Sequence, residues 1–338
     1  MALNVIWYVL FIAIIGAYVV LDGFDLGVGI LHTVVARNDR ERRISLNSIG
    51  PVWDGNEVWL VVGGGVLFAA FPEVYATLFS GFYPAMMAVL AFLILRVVSI
   101  EFRSKRPSAG WRSFWDWIFG VASLMLALLL GVAFGNIVQG VPIDPRHNMR
   151  FDALGLLHPF ALLVGVTAVA MLAQHGAIYL ALKTEGELQQ RVRHTVTWLT
   201  AAFIFLVAVT AVATAVYQPH LTGWYRQVWP LAVPLLAVLA IANNVRENRR
   251  QRELRAFLWS SAGIGLLLAS VGLAQYPAVL TSSLGSAYSL TVSNSMSSQT
   301  TLAVMLVIAV IGMPLVVAYT AGVYWLFRGK VRLGERSY

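Results

Sequence analysis

Apolar residues run through this chain in long blocks, parted by short polar stretches. Nine blocks reach, or reach with their polar ends included, the ~20 residues that a helix needs to cross a bilayer. Helices are expected over 5–31, 53–71, 75–103, 114–138, 156–182, 195–217, 228–246, 256–276 and 302–327. The second and seventh are short as apolar runs and gain length only through Trp53-Asp-Gly-Asn-Glu57 and Asn243-Asn-Val-Arg246. No block alternates strictly enough for a transmembrane β-barrel. The fold class expected is therefore an all-α integral membrane protein of about nine transmembrane helices, one domain over 1–338. The first block has no basic residues before it and no small-residue cleavage signature after it, so it reads as a retained helix.

Composition agrees: 59% of the 338 residues are hydrophobic and 12% charged, with a mean hydropathy of +0.73, against about 25% charged residues in a soluble domain. The net charge of +8 raises nucleic acid as a partner, but its placement points elsewhere. Basic residues gather after the first helix (Arg37, Arg40, Arg42, Arg43), between the third and fourth (Arg96, Arg103, Lys105, Arg106, Arg112) and between the fifth and sixth (Lys183, Arg191, Arg193). They gather again between the seventh and eighth (Arg246, Arg249, Arg250, Arg252, Arg255) and in the tail (Arg328, Lys330, Arg332, Arg336). Only Arg146, Arg150 and Arg226 fall on the other side. Such asymmetry is a topology signal, placing the N-terminus outside and the C-terminus in the cytoplasm, with no nucleic acid involved. With no cysteine in the chain, disulfides and thiolate metal sites are excluded. The longest outside loop, 276–301, is rich in Ser, Thr and Asn and carries no charge.

Ionisable residues inside spans are the place to look for chemistry, because a charge there is costly. Asp22 and Asp25 share a face of the first helix, and Asp25 lies roughly 30 Å along it, near the cytoplasmic edge of the hydrocarbon core. Gly23, Gly27 and Gly29 would admit a close neighbouring helix there. Asp54 and Glu57 share a face at the start of the second helix, which enters from the same side. The two acidic pairs are expected to meet at one depth, and four carboxylates cannot all be ionised and unpaired; Arg96 and Arg103 are the candidate partners. The functional reading is a proton-access route or cation site, favoured for Asp54; for Asp22 and Glu57 a capped helix and bundle-holding salt bridges explain the residues equally well. Glu101 and Arg103 read as an interfacial ion pair. Of six histidines (His32, His147, His158, His175, His194, His220), only His175 lies deep in a span. No facing pair appears, so this chain is expected to ligate no haem, and His175 with Gln174 reads as a buried hydrogen-bonding pair. Met171 and Met305 read as packing, and Gly63-Gly-Gly65 as close helix contact.

Several runs resemble subunit II of cytochrome bd-type quinol oxidases. They include Asp22-Gly-Phe-Asp-Leu-Gly-Val-Gly29, Arg37-Asn-Asp-Arg-Glu-Arg-Arg43, Pro51-Val-Trp-Asp-Gly-Asn-Glu-Val-Trp59, Phe68-Ala-Ala-Phe-Pro72, Trp115-Asp-Trp117, Gly131-Val-Ala-Phe-Gly-Asn136 and Lys183-Thr-Glu-Gly-Glu-Leu188. The short loop between the sixth and seventh helices points weakly to the cyanide-insensitive branch. The resemblance implies two four-helix bundles plus one peripheral helix. It implies a homologous subunit I carrying two b-type haems and one d-type haem, small single-helix accessory subunits in some complexes, and a structural quinone in some members. The complex would oxidise quinol and reduce oxygen to water in the bacterial cytoplasmic membrane, building a proton gradient without pumping. The proton path it implies runs through residues matching Trp53, Asp54 and Asp25, with Asp22 and Glu57 beside them. The alternative is a proton-coupled secondary transporter, which intramembrane acids and Gly-rich helices would also suit; against it stand the lack of an internal repeat and the position of the acids near one face.

Overall fold

The computed structural model describes residues 2–149, 155–218, 221 and 231–334. His220, Arg150, Arg226, Arg336, the aromatic residues at 224, 225 and 229, and the first residues of the expected seventh helix lie outside them. The described residues form eleven α-helices and one small hairpin. The helices are α1 Ala2–Val35, α2 Asp39–Ile49, α3 Trp53–Ala70, α4 Pro72–Gly81, α5 Tyr83–Arg103 and α6 Ala109–Gln139. They continue with α7 Pro159–Lys183, α8 Gly186–Tyr217, α9 Ala232–Arg249, α10 Glu253–Gln275 and α11 Gln299–Leu326.

Packing sorts these into two bundles. In the first, α1 lies against α3 and α6, and α6 against α5; in the second, α7, α8, α9 and α10 close a ring. Contacts of α7 with α1 and α6, and of α10 with α1, join the bundles. Helix α11 is peripheral, with Leu302 its one buried residue. The join depends on missing side chains. A Cβ added at Gly27 would stand 1.9 Å from the Leu172 carbonyl oxygen, and one at Gly176 would stand 2.3 Å from the Gly27 carbonyl carbon. The backbones of α1 and α7 therefore touch directly, as small residues permit in membranes. Gly63 likewise admits Ile15, but Gly64 and Gly65 face open space, so only the first of that triplet is a contact glycine.

Apart from 75–103, each expected span meets one α-helix among the described residues. Among the described residues seven helices are long and apolar enough to cross a membrane alone, or eight if α3 and α4 count as one bent span. Helix α9 falls short because its last turns hold Asn243, Asn244, Arg246, Glu247 and Arg249. The expected helix over 75–103 is broken: α4 belongs with α3, at 119° to it, and α5 begins at Tyr83. Pro72 makes the bend by forcing Phe71 out of the helical region, to φ −129° and ψ 58°. The loop 276–301 is structured, pairing Ala278–Leu280 antiparallel with Leu290–Thr291 and burying Leu280, Leu290 and Val292 against Trp7 and Phe71. Trp7 is buried there and donates its indole N–H to the Leu302 carbonyl at 2.9 Å.

The basic stretch after α1 is itself a short helix. Asn38 caps α2, its side chain accepting from the Glu41 N–H at 2.9 Å, and the Glu41 carboxylate accepts from the Arg37 N–H at 2.7 Å, a reciprocal start of the capping-box kind. Arg191 of α8 reaches the same carboxylate at 2.5 Å, tying α2 across to the second bundle.

Candidate functional site

The first bundle holds its ions in its interior near the basic end. Asp22 and Asp25 from α1, Asn56 and Glu57 from α3 and Arg96 from α5 converge, because residues three apart on α1 face one way and the start of α3 lies beside that face. Arg96 Nη2 donates to Asp22 Oδ1 at 3.0 Å, and Nη1 to Glu57 Oε2 at 3.3 Å. Asp25 Oδ2 accepts from the Asn56 amide at 2.7 Å, and Asn56 Oδ1 in turn accepts from the Tyr324 hydroxyl of α11 at 2.8 Å. Asp22, Asp25 and Arg96 are fully buried, whereas the Glu57 side chain is 21% exposed. Asp25 Oδ1 has no hydrogen-bond partner among the described residues. Three carboxyl groups thus gather beside one guanidinium, two of them bonded to it.

Of the two acidic pairs expected to meet, three members do. Asp54 does not: it is exposed at the start of α3, while its neighbour Trp53 is buried. The 100° advance per residue along a helix explains the split, since Asn56 and Glu57 turn inward where Asp54 turns out. Arg96 takes the partner's part that the acids required. Arg103 does not join it and is 2% exposed, buried where an interfacial position was expected. Its Nε donates to Asp116 Oδ1 at 2.6 Å and its Nη2 to Asp39 Oδ1 at 2.8 Å. His32 Nε2 lies 2.6 Å from the same Asp116 oxygen, and Arg42 donates to the other at 3.1 Å. This second network pins α2 to α1, α5 and α6.

Sequence reasoning missed Asn56, Tyr324 and Asp116 as partners in these networks. Asp116 carried a usable signal, a carboxylate one turn into an apolar run. Tyr324 carried none. His175 and Gln174 do not pair with each other; both meet Ser260 of α10. His175 Nδ1 lies 2.8 Å from Ser260 Oγ and Nε2 lies 3.0 Å from the Val20 carbonyl, while Ser260 also reaches Gln174 Oε1 at 3.3 Å. A carbonyl only accepts, so Nε2 carries the proton.

Fold and site together define a polytopic helical membrane subunit with an acid-rich ion cluster buried near its basic end. Residues 3–327 match the family described as cytochrome bd terminal oxidase subunit II. The chain is 39% identical to cytochrome bd-I ubiquinol oxidase subunit 2 of Escherichia coli strain K12, over 97% of this chain and 95% of that one. It is 34% identical to cytochrome bd ubiquinol oxidase subunit 2 of Bacillus subtilis strain 168, over 98% and 97%. In three dimensions it resembles the bd oxidase from Geobacillus thermodenitrificans, with a TM-score of 0.81 at 17% identity over 97% of this chain and 99% of that one. The chain belongs to the cytochrome bd terminal oxidase subunit II family and is a subunit of an oxidoreductase complex.

Proposed function

We propose that this chain is the haem-free second subunit of a bacterial inner-membrane quinol oxidase, and that its buried acids carry protons toward oxygen reduction in a haem-bearing subunit I. Reduction of oxygen to water consumes protons, and the basic ends of the bundles, taken as cytoplasmic, are where this chain offers them a way in. Asp54 and Trp53 stand at the mouth, Asp25 lies on Asn56, and Glu57 and Asp22 flank Arg96, with Asp22 one turn of α1 further from the basic end than Asp25. Three carboxyls around one guanidinium have room for an exchangeable proton. Asn56 has no titratable proton, so it orients Asp25 and leaves the second carboxyl oxygen to take one. That oxygen, buried and without a hydrogen-bond partner among the described residues, is the observation that carries the reading.

The redox centres are assigned to the partner, where the family places two b-type haems and one d-type haem. His175, the one histidine read as deep in a span, has both ring nitrogens engaged by Ser260 and the Val20 carbonyl, which supports that assignment. With the family established, the transporter alternative has no observation in its favour.

The test is Asp25→Asn in the intact complex, a change that keeps the Asn56 contact and removes the titratable group. The complex should assemble with its full haem spectrum and reduce oxygen roughly tenfold more slowly or worse, the loss expected where a positioned acid–base group is replaced by an amide. Asp54→Asn should slow it in the same direction. Wild-type rates from a fully haem-loaded Asp25→Asn complex would refute the proton-path role.

A further inference from the structure

At the basic end, a cavity of about 320 Å³ opens between the end of α2 and the turn before α3, the last turns of α7 and α11, and the tail that folds back after α11. Lys183, Arg328, Lys330 and Arg332 line it, and no carboxylate does. The tail is fixed over it. The Val331 N–H donates to the Lys183 carbonyl at 2.8 Å, Lys183 Nζ to the Phe327 carbonyl at 2.6 Å, and Lys330 Nζ to the Ala181 carbonyl at 3.1 Å. Each ammonium keeps further N–H groups to donate. The Arg328 guanidinium lies over the Trp325 ring, 4.6 Å from its centroid, which fixes the plane and leaves its edge free. Burial, opposed by Glu253 and reinforced by Arg193, holds Lys330 below the usual lysine range. An anion in the cavity would relieve that.

An excess of positive charge on loops serves orientation without any cavity. Four cations converging on one half-open cavity, with no carboxylate in its lining, call for a ligand. We propose that this cavity is a binding site for a phosphate group. The headgroup of an anionic lipid and free phosphate share that chemistry. The position favours the lipid: the cavity sits where the apolar spans of α7 and α11 stop, and Leu326 and Phe327 stand exposed beside it, 68% and 47% accessible, as a seat for acyl chains. Basic pockets between membrane helices on the cytoplasmic side hold headgroups in this way. The site adjoins Tyr324 but does not depend on the proton-path reading.

The experiment reads lipid retention, so it stands apart from turnover. The purified complex in detergent is supplied with phosphatidylglycerol or phosphatidylcholine and examined by native mass spectrometry, with and without inorganic phosphate. One phosphatidylglycerol per copy of this chain should survive washing that removes phosphatidylcholine. Lys330→Gln with Arg332→Gln should weaken retention roughly twenty-five-fold, about fivefold for each cation removed, and Lys330→Arg should preserve it. Both positions lie beyond the last helix; Arg328→Gln alone is a second variant should the pair fail to assemble. Occupancy by inorganic phosphate with no lipid retained would uphold the phosphate chemistry and assign its source to solution. Equal retention of phosphatidylcholine, or undiminished retention by the double variant, would overturn the proposal.

Discussion

Arg96→Met is the perturbation that interrogates the ion cluster most directly. The side chains of Arg96 and Asp22 are completely buried, and Glu57 is mostly so. Attraction at the observed 3.0 and 3.3 Å is about 5 kcal/mol per pair at an effective permittivity near 20, most of it offset by desolvation. Removing one partner forfeits the attraction and keeps the desolvation, so the single substitution should destabilise the chain by about 3–5 kcal/mol. Methionine occupies much of the same volume, so little of this is packing. The triple variant Arg96→Met, Asp22→Asn, Glu57→Gln should recover most of the loss, because neutral amides need no cation. Equilibrium unfolding titrations in mixed micelles on wild type, single and triple variants measure both steps. If the triple variant is as unstable as the single one, the loss comes from shape, and the account of Arg96 as a charge partner is wrong.

Gly176→Ala should cost about 1–3 kcal/mol by forcing α1 and α7 apart, since its new carbon would meet backbone at 2.3 Å; Gly64→Ala, with nothing within 4 Å, should change stability by less than about 0.5 kcal/mol, and the same titration compares them. Burial raises the Glu41 carboxyl, but the Arg37 N–H and Arg191 outweigh it and hold the group below its usual 4.5. A lowered carboxyl stabilises the fold when ionised, so the anchoring of α2 should be complete above the ordinary glutamate range and lost as pH falls through the lowered folded value. Amide exchange of α2 across that acid range should show the loss, and Glu41→Gln should remove the step. His175→Ala should keep the full haem spectrum in an assembled complex while costing about 1–3 kcal/mol for the polar groups left unpaired; loss of a haem band would overturn the haem-free reading.

Much of this architecture is legible in the sequence. The spans follow from apolar length alone, and the α1 acids stand out because an apolar run rarely tolerates them. Arg96 is harder to place, since a count of basic residues assigns it to a loop, whereas α5 runs seven residues past it to Arg103. Asp54 shows where pattern fails: it has the same sequence neighbourhood as Glu57, and only the rotation of α3 against α1 decides that one turns in and the other out. The break at Phe71–Pro72 is signalled by the proline, but the 119° bend depends on where α4 finds its apolar partners. Tyr324 reaches Asn56 across 268 positions of sequence, a contact that no local periodicity encodes.

Charge balance separates the two buried networks, although one helix supplies the central arginine of both. Arg96 and Arg103 lie seven residues apart, two turns along one face of α5. Arg103 serves Asp116 and Asp39, but Arg42 and His32 also reach Asp116, and Arg112 reaches Asp39 at 3.1 Å. That network is rich in cations, so each of its carboxylates stays paired if one arginine is lost, and its work is to hold α2 against the bundle. Around Arg96 the ratio is reversed. Asp22 and Glu57 share a single guanidinium, and Asp25 beside them is held by a neutral amide instead. Only the acid-rich cluster has carboxyl groups beyond its cations and thus a place for a proton to come and go. Stability should depend on both networks, while turnover should depend on the one around Arg96.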